Sequence, residues 1–220
     1  MVPGGSTVLH RRNFLLHLQD RQEYGGLVLL KEPAYKQPTV AQVAELHNEA
    51  VMSNQLANVP GIRPVHAQVG TESHPILLLE YIKGQSLSDL IQADSLDLRQ
   101  KLRLAVKITL ILGRIHEQGV MHRDIRSGNI LVADQAVPNE HGGVYIIDFG
   151  YAAAMRQKAT RTPITTGVLT SFPAYISPEQ TGRMNRPFDY RTDLYSLGVT
   201  LYELLAGQLP FETDDALEMI

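Results

Sequence analysis

The sequence predicts an α+β fold: strands of an antiparallel sheet near the start, then long helices. Three observations carry that prediction. From Thr7 to Leu30 the apolar residues come in short runs (Val8-Leu9, Phe14-Leu15-Leu16, Leu27-Val28-Leu29-Leu30) broken by polar residues and glycine, as in antiparallel strands. Leu98, Leu102, Ala105, Val106, Thr109, Leu112 and His116 fall at three- and four-residue spacing, which marks a long amphipathic helix. Leu194, Leu197, Leu201 and Leu205 repeat that spacing near the end.

Composition narrows the function. The chain has 220 residues, enough for one large domain or two small lobes, and 44% hydrophobic residues permit a real core. Its 20 basic and 23 acidic residues give a net charge of −3. That balance offers no broad basic surface for nucleic acid or an anionic membrane, so phosphate binding has to be local. With no cysteine, neither a disulfide framework nor a thiolate metal site is available. The opening Met1-Val2-Pro3-Gly4-Gly5 lacks the basic segment and apolar run of a signal peptide. The apolar stretch from Leu102 to Ile115 is interrupted by Lys107 and Arg114, which is wrong for a membrane span. A soluble, cytoplasmic protein without direct membrane insertion is expected.

The elements follow in order. The run Leu27 to Leu30 delivers Lys31 at a strand end. Pro38-Thr39 opens a helix on which Val43, Leu46 and Ala50 recur, with Pro38 suited to the first turn. Glu49 lies on its flank, eighteen positions after Lys31, and Glu45 stands one turn earlier. Ile76-Leu77-Leu78-Leu79, then Glu80-Tyr81-Ile82 and Lys83-Gly84, reads as a buried strand entering a linker. Ser86 is placed to cap a short helix, and Gly119 stops the long one. Ile130-Leu131-Val132 and Val144-Tyr145-Ile146-Ile147 are strands, joined by a polar connection that reads as an extended hairpin.

Between the long helix and the first of those strands lies His122-Arg123-Asp124-Ile125-Arg126-Ser127-Gly128-Asn129, and Asp148-Phe149-Gly150 follows the second. Asp124 and Asn129 are five positions apart, so one short loop can present both, while Asp148 must arrive from a neighbouring strand. Taken alone, Asp-Phe-Gly also reads as a strand ending in a turn. The ordered set resembles the catalytic loop and metal-binding tripeptide of the protein kinase family. Nearly the whole chain shares that resemblance.

The resemblance implies a bilobal protein-kinase-like fold, with residues 1–82 forming the N-lobe and hinge and residues 83–220 the C-lobe. It implies that Asp124 faces the acceptor hydroxyl and that Asn129 and Asp148 hold Mg2+ against the phosphates of ATP. Lys31 would contact the α- and β-phosphates, paired with Glu49, with Glu45 as the fallback. Leu79 would be the gatekeeper, Glu80, Tyr81 and Ile82 the hinge, and Leu131 the residue under the adenine; an ordinary core strand accounts for the apolar residues around Leu79 equally well. Val8 would contact the nucleotide from the first strand. Asp193 would hold the backbone of the catalytic loop; its other reading is a helix N-cap.

The segment from Gly150 to Glu179 carries Thr160, Thr162, Thr165, Thr166 and Thr170 among Arg156, Lys158 and Arg161. Ser177-Pro178-Glu179 closes it, as the family's Ala-Pro-Glu does. A phosphate on one of those threonines would pair with Arg123 and order the loop. A narrower resemblance rests on Ala174 to Phe211, which is similar to the N-terminal serine/threonine kinase domain of large bacterial and fungal sensor proteins. In those, the kinase precedes an AAA-like ATPase, GAF and histidine-kinase modules, so a protein substrate and downstream sensor modules are the implied partners.

The sequence also departs from the family pattern. Only Gly4-Gly5-Ser6 precedes Val8 where a Gly-x-Gly-x-x-Gly hairpin is usual, and Leu29 replaces a small residue over the adenine. Arg126 stands where serine/threonine kinases usually carry Lys, and keeps the charge with a different donor geometry. Phe172 occupies the place of a threonine that defines hydroxyl specificity. Twenty-seven residues follow Asp193, so the arginine that pairs with Glu179 in the family is missing, and a fragment of a longer chain is expected. The expected function is transfer of the ATP γ-phosphate to protein Ser or Thr hydroxyls, with Arg126 neutralising charge on the transferring group. A nucleotide-sensing or docking module without turnover is the second reading, and a tyrosine or dual-specificity kinase the third; the long segment ending at Pro178-Glu179 argues against a small-molecule kinase.

Overall fold

The computed structural model describes residues 8–11, 13–134, 142–155, 172–181 and 189–211. The three opening runs become β1 (Val8–Arg11), β2 (Phe14–Arg21) and β3 (Gly26–Pro33). β2 and β3 form a hairpin, with Phe14 opposite Pro33 and Arg21 opposite Gly26. Gly25 and Gly26 close its turn at φ of 82° and 136°, where an L side chain is strained. With β4 (Val65–Thr71) and β5 (His74–Glu80) they complete a five-stranded antiparallel sheet in the order β1-β2-β3-β5-β4. The register puts Lys31 opposite both Leu16 and Leu77, so the lysine lies on the sheet face that those buried leucines occupy.

One helix docks on that face. α1 (Val40–Gln55) starts at a capping box, in which the Gln42 N–H donates to Thr39 Oγ1 at 3.3 Å and the Thr39 N–H donates to Gln42 Oε1 at 2.8 Å. Pro38 therefore precedes the cap and does not enter the first turn. Leu46 and Ala50 pack with Phe14, Leu77 and Leu79 in one apolar cluster. Their burial fixes the helix rotation, and Glu49, next to Ala50, is carried to 1% exposure.

The second part is built on two long helices. β6 (Gly84–Ser86) leads into α2 (Leu87–Gln92), which Ser86 caps together with Asp89. α3 (Leu98–Glu117) is capped by Asp97 and Gln100. Its buried side is Leu104, Ile108, Ile111, Leu112 and Ile115, whereas Leu98, Leu102 and Val106 are 66%, 50% and 59% exposed. The stripe read from the sequence is thus largely the outer side: α3 is apolar on two sides, and spacing alone does not select the one that meets the core.

Beyond it come β7 (Val120–Met121), β8 (Ile130–Ala133), β9 (Val144–Ile146) and β10 (Ala153–Ala154). β6, β8 and β9 make a three-stranded sheet, and β7 pairs with β10. β8 and β9 are antiparallel, while residues 135–141 of their connection lie outside the described residues. α4 (Arg191–Ala206) begins at Tyr190 without a side-chain cap and buries Thr192, Asp193, Ser196, Leu197 and Leu204 among others. Ile108, Ile111, Ile115, Ile146, Phe149 and Leu197 belong to the main core. Among the described residues no helix is long and apolar enough to cross a membrane.

Gly61, between α1 and β4, joins the two parts. Its carbonyl accepts the Ile146 N–H at 2.8 Å, and Ile62 bridges Ile146 in parallel. At φ of 92° a Cβ there would stand 2.6 Å from Ile111 Cδ1 and 3.2 Å from the Val144 carbonyl oxygen, so only glycine fits the approach.

Leu46→Ala empties the contact between α1 and the sheet. Loss of a fully buried leucine is expected to cost about 2–5 kcal/mol. It should appear as a lower denaturant midpoint with an unchanged slope.

Candidate active site

Two buried ionic groups form the site. In the first, β3 supplies Lys31, α1 supplies Glu49, and the segment after β9 supplies Asp148. Lys31 Nζ donates to Glu49 Oε2 at 2.5 Å and to Asp148 Oδ1 at 2.9 Å. The Phe14 ring lies 4.8 Å from the same nitrogen, and Arg63 Nη2 stands 3.6 Å from Glu49 Oε1. All four charged groups are at most 7% exposed. Burial opposes the charge on Lys31, but Asp148, Glu49 and Glu45 outweigh it and hold the lysine above its ordinary 10.5. The lysine bonds Glu49, while the fallback Glu45 accepts the Tyr151 O–H on its Oε2 at 2.9 Å and packs its side chain against Gly150.

The second group sits on the loop between β7 and β8. A 3₁₀ turn over Ser127–Asn129 folds Asn129 back on Asp124, so that Asn129 Nδ2 donates to Asp124 Oδ2 at 2.7 Å and to its carbonyl at 2.8 Å. Arg126 Nη2 donates to Asn129 Oδ1 at 2.8 Å, and Arg126 Nε stands 3.4 Å from Asp124 Oδ1. The Ile147 N–H donates to the Asn129 carbonyl at 3.0 Å, which ties this loop to the strand leading to Asp148.

Asp193 holds the loop from below. It sits inside α4 with no exposure, and its oxygens accept the His122 N–H at 2.8 Å and the Arg123 N–H at 2.7 Å. His116 Nε2 lies 2.9 Å from the same carboxylate. These bonds hold Arg123 at φ of 66°, a left-handed conformation uncommon for a residue with a side chain. Asp193 is therefore a loop anchor and not an N-cap, since α4 starts two residues earlier. His122 Nδ1 accepts the Asp124 N–H at 3.2 Å, so Nε2 carries the proton and donates to the Ile147 carbonyl at 3.2 Å. Burial pushes the Arg123 guanidinium below its usual range, against the pull of Asp193.

Three contributors escaped the reading of the sequence. Asn48 Nδ2 donates to the carbonyls of Phe149, Gly150 and Ala152 at 3.2, 2.9 and 2.8 Å, binding α1 to the segment that carries Asp148. Asp148 itself has φ of 73°, so this segment needs holding. A mid-helix asparagine, a poor helix former beside Glu49, was the available signal. Arg63, a lone cation between Ile62 and Pro64, was another; nothing in the spacing pointed to Phe14.

Of the residues expected near adenine, Leu79 is fully buried, opposite Leu29 in the sheet. Glu80 ends β5; its N–H donates to the Pro64 carbonyl at 3.0 Å and its carboxylate lies 2.9 Å from His66 Nε2. Tyr81 and Ile82 are half-buried in the link to β6, Leu131 is half-buried on β8 opposite Ser86, and Val8 lies on β1 opposite His17. Gly4-Gly5-Ser6, the segment threonines from Thr160 to Thr170 with Arg156, Lys158 and Arg161, and Gly182 to Arg186 lie outside the described residues. Glu179 accepts the Thr192 O–H at 3.1 Å.

The oxygen donors of Asp148 and Asn129 suit a hard divalent cation. Among the described residues no three His, Asp or Glu side chains gather into a metal cage.

A sheet with one docked helix, a mainly helical remainder, and two ionic groups at a loop and strand end define the bilobal protein kinase architecture. Residues 19–220 match the family model described as protein kinase domain, and the chain belongs to that family. It is 36% identical over 177 residues to a probable serine/threonine-protein kinase PknB of Bifidobacterium longum, covering 78% of this chain and 24% of the relative. Against serine/threonine-protein kinase PknL of Mycobacterium tuberculosis the identity is 34% over 178 residues, covering 80% and 39%. Against serine/threonine-protein kinase pkn2 of Myxococcus xanthus it is 32% over 139 residues, covering 63% and 16%. The chain thus spans well under half the length of these curated relatives.

Asp193→Ala removes the acceptor of the His122 and Arg123 N–H groups. Each unsatisfied group costs about 1–3 kcal/mol, so the folded state should lose roughly 2–6 kcal/mol in chemical denaturation. Asp193→Asn, which keeps one acceptor oxygen, should lose less.

Proposed function

We propose that this chain is the catalytic domain of a serine/threonine protein kinase, moving the γ-phosphate of ATP to a protein hydroxyl. The observation that carries this is the buried Lys31–Glu49 pair with Asp148 on the same lysine nitrogen. Three charges brought from a strand, a helix and a loop cost desolvation that a purely structural core avoids. The names of the relatives support the Ser/Thr assignment.

In this reading residues 1–82 are the N-lobe and hinge and residues 83–220 the C-lobe. Lys31, oriented by Glu49, contacts the α- and β-phosphates. Asp148 and Asn129 hold Mg2+, which supplies charge neutralisation at the phosphates when bound. Asp124 orients the acceptor hydroxyl and takes its proton, general-base assistance of about 10²–10⁴-fold. Arg126 places positive charge beside Asp124, where negative charge shifts during transfer. The backbone of Glu80, Tyr81 and Ile82 reads the adenine edge, with Leu79 behind it and Val8 and Leu131 on its faces. A cytoplasmic protein with sensor modules after the kinase is the parent that the narrower resemblance supports. One observation favours a docking module without turnover: Asn129 Oδ1, an oxygen a metal would use, accepts from Arg126.

Thermal melts and phosphotransfer separate these readings. Magnesium and ATP at a hundred times Kd should stabilise the chain by about 2.7 kcal/mol. The shift should vanish in Asp148→Asn. Asp124→Asn should keep the shift and lose transfer by about 10²-fold or more. Transfer by Asp124→Asn at the wild-type rate would remove Asp124 from its role, and a shift without any wild-type transfer would select the docking module.

A further inference from the structure

Arg126 and Phe172, the two departures from the family pattern on the acceptor side, touch each other. The Arg126 guanidinium carbon lies 4.1 Å from the Phe172 ring centroid, within the reach of a cation–π contact. Arg126 is 6% exposed, so the contact is largely out of water, where the attraction is strongest. The same guanidinium donates to Asn129 Oδ1 and stands beside Asp124. The loop makes room for it: a Cβ at Gly128 would meet Arg126 Nη1 at 2.4 Å.

Phe172 is itself anchored. It packs on a cluster of Ala174, Tyr175 and Val199, the last on α4. Tyr175 donates its O–H to Glu203 Oε2 on α4 at 2.6 Å, and its hydroxyl lies 3.2 Å from Ser127 Oγ, next to Arg126. The ring is thus fixed to the helix that also carries Asp193.

We propose that Phe172 is a positioning residue for the acceptor side: it holds the Arg126 guanidinium, which in turn fixes the Asp124 carboxylate and the Asn129 amide. The inference rests on the phosphotransfer reading above. A phenyl ring offers Asp124 no hydrogen bond, so its grip passes through the cation. Lysine cannot substitute, because its point charge lacks the planar fork that reaches Asn129 while lying against a ring. A leucine fills similar space without the ring quadrupole, which separates this role from packing.

The test is steady-state transfer from magnesium-ATP to dephosphorylated casein, with melting of the nucleotide-free chain measured in parallel. Phe172→Leu is expected to lower kcat roughly 3- to 30-fold with KM for ATP within about twofold, and Phe172→Tyr, which keeps the ring, to retain most of it. Arg126→Met and Arg126→Met/Phe172→Leu should show equal losses in kcat, because the ring then has no cation left to hold. Phe172→Met serves as the non-aromatic variant if the leucine variant does not fold. Equal kcat for Phe172→Leu and Phe172→Tyr, or additive losses in the double variant, overturns the proposal while the kinase reading stands. A wild-type chain without transfer overturns both.

Discussion

The carboxylate of Asp193 is the interaction on which the rest of the site depends. A loop that presents Asp124, Arg126 and Asn129 within seven residues has to turn sharply, and it does so by placing Arg123 at a positive φ. Such a conformation persists only where the surroundings over-determine it. Two backbone N–H groups meeting one carboxylate supply that, and the fully buried α4 side chain cannot drift. His122 extends the order outward through both ring nitrogens, one to Asp124 and one to the strand before Asp148.

The Lys31 group shows the opposite economy. Taking ions from water costs several kcal/mol each, and that cost is met only when charges are balanced and hydrogen-bonded. Lys31 and Arg63 face Glu49 and Asp148, two cations against two anions. The balance depends on α1 standing where Leu46 and Ala50 seat it, so apolar packing decides whether the ionic group exists. Asn48 adds a direct bond from that helix to the Asp148 segment. Helix position and the placement of Asp148 are therefore one variable.

How much of this was legible varied with the distance over which information had to travel. Asp124 and Asn129 were readable because a short loop sets their separation locally, and the strands around Lys31 because short apolar runs between breakers have few other fates. The Ser86 cap followed from local side-chain chemistry. The buried side of α3 was not readable: Leu98, Leu102 and Val106 keep helical spacing as well as Leu104, Ile108 and Ile111 do, and only the tertiary partner chooses. Arg63 and Asn48 were missed for the same reason, since their partners lie on other elements. Arg126 and Phe172 were visible as separate anomalies forty-six positions apart, and only the fold makes them a pair.

Gly61 has a mechanical consequence. Its carbonyl bond to Ile146 and the parallel bridge beside it fasten the stretch after α1 to the helical part at a point where no side chain could intrude. With the Lys31 bond to Asp148 and the Asn48 bonds to residues 149–152, this fastening gives three separate attachments, so any shift of the sheet part over the helical part has to disturb all three together.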